Sequence, residues 1–459
     1  LTIHRRPTGR TAGLVVLVVL VAAWASAVGA VGAEGNDWPC WRGPTHDGQA
    51  DATQAVPLEW GDAVNVVWSV DVPGRGNGSP TVAGDRVYLA TCDEATGSQS
   101  VLAFDRGTGR PVWQRVVHAT GAMRKNEKST GASTTVSADG ERLTITFANA
   151  DAVWATALDR DGAILWQTRV CDYAIHQGYG ASPLVHDGRV FVVADHKNHG
   201  RVAALEPATG KVLWEKERPP TPNYSSPVVW KLFGREQLIL TGCDKVAALD
   251  PATGETIWEK EGATTECVTT TVTDGQRVYS SGGYPRNHIA AYRADGTGTV
   301  DWENGERVYV PSLLYSRGHL YCILDAGIAA CFDAATGEEK WKQRLGGNFS
   351  ASPVMIGDTI LATDESGQTH VFRATPEKFE ARRSRRPRCV AAGSISGSLS
   401  PVASGVRKSS SASASGECLR RVVSGFGSPW GGWPGRPAGG RCCRRHGGGG
   451  SAARSPAYS

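Results

Sequence analysis

Few residues of this chain are of a type and spacing that could do chemistry. Asp195-His196 with His199 sets paired imidazoles on a polar turn between two strand-like runs, where a metal ion could bind. No third ligand accompanies them at a fixed spacing, so a solvated turn is the expectation and no metal site is assigned. Cys322 and Cys331 flank the turn Asp325-Ala326-Gly327 on what should be neighbouring strands. Hairpin register need not set them opposite one another, so two buried thiols are expected rather than a disulfide. The other body cysteines, Cys40, Cys92, Cys171, Cys243 and Cys267, are scattered, four more lie in the C-terminal stretch, and no Cys-x-x-Cys occurs. Gly-x-Ser-x-Gly, His-Glu-x-x-His and phosphate-cradling glycine loops are all missing from the sequence. No catalytic residue is assigned, and the reading leans away from an enzyme.

Charge becomes informative once it is partitioned. The whole chain carries +4. Residues 1–33 hold three arginines and no acid, and residues 381–459 hold thirteen arginines, one lysine and one glutamate, which leaves −12 for residues 34–380. An acidic body with no basic stripe argues against nucleic acid, which needs a positive footprint. Residues 1–33 read as an export signal: Arg5, Arg6 and Arg10, an apolar run from Leu14 to Ala23, and small residues ending Val31-Gly32-Ala33. The general secretory route is expected over the twin-arginine one, because Pro7-Thr8 breaks the hydrophobic continuation after Arg5-Arg6. The alternative is an uncleaved anchor, since apolar and small residues run from Thr11 to Ala33. Location is then the periplasm or cell envelope, with a membrane partner only if the segment is retained.

The elements that would position any site come from a repeat. A small residue, an apolar residue and an acid, then a Thr-Gly turn and a tryptophan, recur as Ala103-Phe104-Asp105 to Trp113, Ala204-Leu205-Glu206 to Trp214, Ala248-Leu249-Asp250 to Trp258 and Cys331-Phe332-Asp333 to Trp341. Looser copies end at Trp166 and Trp302. Ser79-Pro80, Ser133-Thr134, Ser182-Pro183, Ser226-Pro227, Thr269-Thr270, Ser312-Leu313 and Ser352-Pro353 each open a short apolar strand. Asp85-Arg86-Val87-Tyr88, Gly188-Arg189-Val190-Phe191 and Gln276-Arg277-Val278-Tyr279 mark another. Each period offers four short β runs and no helical periodicity, which is the pattern of a β-propeller blade. A four-stranded blade cannot bury both faces alone, so blades stack round an axis. The tryptophans Trp68, Trp113, Trp166, Trp214, Trp258, Trp302 and Trp341 are expected to pack between blades, each indole N–H needing a partner.

The fold class is therefore all-β, a propeller of the eight-bladed type with its last blade incomplete. Seven blade starts are visible, and Trp68 ends an orphan strand that would close the ring. Blade seven would take its third strand from His370–Arg373 and its fourth from Glu377–Glu380. The domain plan is a signal at 1–33, an N-terminal lead-in at 34–65, the propeller at 66–380 and a basic low-complexity tail at 381–459. That tail, rich in Arg, Gly, Ser and Ala without Asp, Asn, Gln or Thr, is expected to be disordered or the product of a shifted reading frame near residue 380, because three strands of blade eight are due there. The open ring would then carry unpaired edges and a tendency to aggregate.

The motif Ala-x-Asp-x-x-Thr-Gly-x-x-x-Trp resembles the repeat of the pyrroloquinoline-quinone-like (PQQ-like) propellers, a family that includes quinoprotein dehydrogenases and the assembly factor BamB. The resemblance covers Trp68 to Arg373, and Trp38-Pro39-Cys40-Trp41-Arg42-Gly43-Pro44 is similar to the start of exported members. For an enzyme the resemblance implies PQQ stacked between a tryptophan and a disulfide of adjacent cysteines, with a calcium ion and a catalytic aspartate. The only adjacent pair is Cys442-Cys443, in the tail, and no residue matches the calcium site. No cofactor is expected, PQQ and calcium entering only under the alternative of a divergent alcohol or sugar dehydrogenase. BamB is a lipoprotein, and no Cys follows the apolar run, so its assembly role is not carried over. The leading expectation is a non-enzymatic scaffold contacting a protein or small ligand in the exported space, with a sensor or carbohydrate-binding role as a further possibility. Asn77, Tyr179 and Tyr224, where inner strands begin, are the candidate ligand residues at the channel mouth, and the stretch His118–Thr130, the longest break in the repeat, is a candidate recognition loop.

Overall fold

The structure, a computed structural model, describes residues 37–58, 64–124, 126–385 and 394–397. The expected signal, Lys125, the tail beyond residue 397 and the Cys442-Cys443 pair lie outside the described residues. No helix occurs among those described. Seven antiparallel sheets follow one another along the chain as blades 1 to 7, spanning residues 81–118, 137–172, 184–218, 228–261, 272–304, 314–344 and 354–385. Each blade contributes four strands in sequence order, the first innermost. Short β-branched and aromatic runs fit a pleat buried on both faces, so the second and third strands are almost wholly buried while the outermost are mostly exposed.

Turn chemistry sets the register. In blade 3 the first two strands join through Asp187-Gly188, both at positive φ (41° and 66°), the geometry of a two-residue hairpin turn. Between the third and fourth strands the acid of the repeat folds the chain back: Asp250 Oδ1 accepts from the N–H groups of Ala252 and Thr253 at 2.8 and 3.1 Å, and Gly254 N donates to Asp250 O at 2.8 Å. A bulge follows, which leaves Trp258 opposite Ala248. The same pairing sets Trp113 against Ala103, Trp214 against Ala204 and Trp341 against Cys331. The small residue of the motif is the one that faces the indole within its own blade.

The core sits between blades rather than inside any one. Tyr88 and Val101 of blade 1 pack with Ile145 and Phe147 of blade 2, and the pattern continues through blades 4 and 5, 5 and 6, and 6 and 7. Each outer-strand tryptophan spans to the next blade. Trp68, Trp113, Trp166, Trp214, Trp302 and Trp341 donate their indole N–H to the carbonyls of Arg106, Arg160, Pro207, Pro251, Ala334 and Thr375 at 2.8–3.0 Å. Trp258 differs: it donates to Gln237 Oε1, and Gln237 Nε2 donates on to Ala294 O of blade 5, both at 2.8 Å. Under six of these indoles lies the repeat glycine of the following blade; Trp341 meets Phe379 and Phe372 instead.

Three expectations are corrected by the chain's course. Trp68 opens its strand, Trp68–Asp71, rather than ending it. The fourth strand of blade 7 is Ala381–Arg385, not Glu377–Glu380; residues 374–380 instead form the turn, where Phe379 packs on Trp341 and Phe372. The propeller therefore passes the expected boundary at residue 380. Ser394–Gly397 pairs antiparallel with Trp68–Asp71, so the two strands described for the eighth position come from opposite ends of the chain. All seven body cysteines are free and buried. Cys322 pairs across the hairpin with Ala330, and Cys331 with Tyr321, so the two thiols point to opposite faces of blade 6.

Two expected outcomes follow. A Cβ on Gly254 (φ 76°) would stand 2.6 Å from the Trp214 ring, whereas one on Gly188 (φ 66°) meets nothing within 4 Å. Gly188→Ala should lose only the positive-φ penalty, about 1–2 kcal/mol, and Gly254→Ala a further ~1–3 kcal/mol from overpacking, read by urea denaturation. Equal losses would contradict a clamp at the indole. His118 lies edge-on to Phe147 and Trp154 of blade 2 with Nε2 unpartnered, and burial holds its pKa down to about 4. The unfolded chain, titrating near 6.5, then binds the extra proton, so this contribution is complete above pH 6.5 and lost as pH falls towards 4. His118→Phe should flatten the stability profile in that window.

Candidate functional site

The two ends of the propeller axis are built differently. At one end residues 37–50 enter the ring. Trp38 pairs with Val82 of blade 1, Ala138 N of blade 2 donates to Pro39 O at 2.8 Å, and Gln49–Ala50 runs parallel to Met355–Ile356 as a fifth strand of blade 7. Trp41 Nε1 donates to Thr270 Oγ1 of blade 5 at 2.7 Å. The Arg42 guanidinium, buried, donates to Leu313 O of blade 6, Pro353 O of blade 7 and Asp47 O, at 2.5, 3.2 and 2.7 Å. Desolvation lowers its pKa to about 10. The lead-in is thus a stopper stitched to the inner strands of five blades. Sequence reasoning gave it no such role, because its contacts with the blades are all non-local.

Above the stopper a belt of hydroxyls links the blades. Ser79 N donates to Thr135 Oγ1, Thr135 N to Ser182 Oγ, Ser182 N to Ser226 Oγ, Thr270 N to Ser312 Oγ and Ser312 N to Ser352 Oγ, at 2.9–3.0 Å. The Ser-Pro motif is therefore an inter-blade donor–acceptor relay, satisfying backbone N–H groups that no strand partner reaches. In blades 2 and 5 the belt residues are Thr135 and Thr270, so the motif there is Thr135-Val136 and Thr270-Thr271, a correction to Ser133-Thr134 and Thr269-Thr270.

Beyond the belt, at the other end, the connections between blades bring four polar side chains together. His176 Nδ1 lies 3.2 Å from both Tyr224 OH and Glu266 Oε1, and Tyr309 OH donates to Glu266 Oε2 at 3.4 Å. These residues precede the inner strands of blades 3, 4, 5 and 6. His176 is 40% exposed and Glu266 only 8%. Burial raises the Glu266 carboxyl above its ordinary value, against the opposing pull of His176 and Tyr309. Burial likewise raises both phenols, with Glu266 adding to the effect.

Of the residues picked from sequence, Tyr224 is in this cluster. Asn77 lies at the same end, donating to Lys128 O at 2.9 Å. Tyr179 is elsewhere: it is buried in the core of blades 2 and 3 with its OH donating to Val193 O. His176, Glu266 and Tyr309 were missed, and their common signal is position, a few residues ahead of each belt hydroxyl. At this end Asn126 bonds to Gln177 and Lys128 reaches Glu365 of blade 7 at 3.4 Å. Asp195 is engaged within the protein: Arg218 grips both its oxygens at 2.7 and 3.0 Å and Asn223 Nδ2 donates to it at 3.0 Å. His196 is buried, accepts from Ala174 N, and packs against His199.

The stopper gives an expected outcome. Arg42→Ala leaves two buried carbonyls unpartnered and should cost about 3 kcal/mol, with faster proteolysis within residues 37–50. Arg42→Lys, which keeps the charge but not the fork of donors, should fall between. A wild-type melting curve for Arg42→Ala would show that the lead-in does not tie the ring.

A family model described as "Outer membrane protein assembly factor BamB" matches residues 62–170, 97–343 and 311–378. BamB of Bordetella pertussis is 24% identical over 352 residues, covering 73% of this chain and 82% of that protein. A polyvinylalcohol dehydrogenase of a Sphingopyxis species is 28% identical over 205 residues, 41% of this chain but only 30% of the enzyme. Among solved structures, BamB of Moraxella catarrhalis superposes with a TM-score of 0.52 at 15% identity, covering 74% of this chain and 97% of that one. A quinohemoprotein alcohol dehydrogenase of Comamonas testosteroni gives 0.57 at 12% identity, with 78% and 74% covered; these two likenesses bear on fold alone. With belt and tryptophan clamps repeating through the matched residues, the chain belongs to the BamB-like family of PQQ-type repeat propellers.

Proposed function

We propose that this protein is a binding scaffold of the cell envelope, exported by its N-terminal segment, whose working face is the end of the axis away from the stopper and whose partner is a protein of outer-membrane assembly. The observation that carries the reading is the division of the axis. One end is filled by the chain's own lead-in, while the other gathers His176, Tyr224, Glu266 and Tyr309 from four successive connections. Binding groups on short connections held by rigid blades are a common way to present a recognition surface. The match to most of the length of the Bordetella protein, against under a third of the polyvinylalcohol dehydrogenase, favours the assembly side of the family.

The second reading, a quinoprotein dehydrogenase, rests on that partial match. The adjacent-cysteine clamp implied for a quinone has no counterpart among the described residues, where even Cys322 and Cys331 face opposite sides of a blade. Among the described residues no group of three or more His, Cys, Asp or Glu is arranged to hold a metal ion. The residues do not fit the group, and no chemical step is derived through it.

The test pairs two assays on the full chain. Affinity capture from an envelope extract is expected to enrich β-barrel assembly proteins. Incubation with PQQ and calcium, followed by an alcohol or polyvinyl alcohol and an artificial electron acceptor, is expected to give no saturable turnover. Saturable turnover would overturn the scaffold reading.

A further inference from the structure

We infer that the cluster of His176, Tyr224, Glu266 and Tyr309 binds a neutral, polyhydroxylated ligand, the terminal sugar of an oligosaccharide. The inference rests on the binding-scaffold reading and names a ligand for its working face.

The chemistry follows from the unspent hydrogen-bonding capacity of four side chains. Each Glu266 oxygen has one long protein contact, at 3.2 Å to His176 and 3.4 Å to Tyr309, so acceptor sites remain on a carboxylate held largely out of water. Tyr224 and Tyr309 can each donate and accept, as can the His176 ring through its two nitrogens. Sugar hydroxyls are both donors and acceptors, and vicinal pairs suit a carboxylate flanked by phenols.

Charge narrows the class. An anion would meet the Glu266 carboxylate. A cation would compete with groups already present: Arg307 lies 5.7 Å from the centre of the Tyr309 ring, over its face, and His176 sits against the carboxylate. A neutral ligand meets neither difficulty.

The cluster is also held ready. Asn223, beside Tyr224, donates to Thr241 O and Asp195 Oδ2 and accepts from Cys267 N, at 2.9–3.0 Å. Tyr224 N donates to Cys267 O at 3.0 Å, which ties the two connections bearing Tyr224 and Glu266. Asp325 accepts from the N–H groups of Tyr309 and Val310 at 2.9 and 3.2 Å. Residues ordered before binding lose little entropy on meeting a ligand. Asp195, Asn223 and Asp325 are thus positioning residues.

The test is calorimetric titration of the full chain with chitotetraose, cellotetraose and maltotetraose, and with methylammonium as a cationic probe. At least one oligosaccharide should bind saturably, and Glu266→Gln and Tyr309→Phe should each weaken it by about tenfold or more while the melting temperature stays within a few degrees. Binding of none of the three sugars, or binding indifferent to both substitutions in folded protein, overturns the inference. So does Glu266-dependent binding of methylammonium alone. Each of these failures leaves the scaffold reading to its own assays, envelope capture and quinone turnover.

Discussion

Between successive blades an indole lies flat on a glycine, and most of the molecule can be derived from that contact. A Cβ on Gly109, Gly162, Gly210, Gly254, Gly298 or Gly337 would stand 2.4–2.8 Å from the tryptophan of the preceding blade. Glycine is required there twice over, for the positive φ of the turn and for the closeness of the ring. The indole must also place its N–H on the next blade, which fixes how far one blade is rotated from its neighbour. Because that geometry repeats, the sheets turn about a common axis, and their apolar faces are buried only against each other. Gln237 shows how strong the demand is: where Trp258 does not reach the next blade directly, an amide relays the bond.

The hydroxyl belt does the same near the axis. An inner strand has a neighbour on one side only, so its first N–H groups would otherwise face the channel unpaired. Donation to the serine or threonine of the next blade satisfies them and locks the phase of the ring from inside. The lead-in then uses what remains, with Arg42 taking carbonyls from blades 6 and 7 and Trp41 a hydroxyl from blade 5. One end of the axis is consumed by structure.

How much of this was legible in the sequence depended on whether a residue type was forced. Trp113, Trp214, Trp258 and Trp341 with their Thr-Gly turns were readable, since few residues substitute for a large ring on a bare backbone. Belt phase was ambiguous wherever hydroxyls run together, as in Ser133-Thr134-Thr135 and Thr269-Thr270-Thr271, because composition does not say which one faces the neighbour. The last strand of blade 7 was misplaced because that blade has no tryptophan to mark it. Tyr224 was found at the mouth because it sits two residues ahead of the belt serine Ser226. Tyr179 has a comparable setting but points into the core, and backbone position alone does not decide which way a ring turns. His176, Glu266 and Tyr309 converge only through tertiary structure.

On the proposed function the two ends of the axis have different work, binding at the mouth and ring closure at the stopper. Site-specific photocrosslinking in living cells tests it most directly, with the reactive side chain placed in turn at Lys128, 75% exposed on the mouth loop, and at Phe233, 58% exposed in a turn at the opposite end of blade 4. Discrete crosslinked partners are expected from position 128 and none from position 233. Crosslinks arising equally from both, or only from position 233, would contradict it.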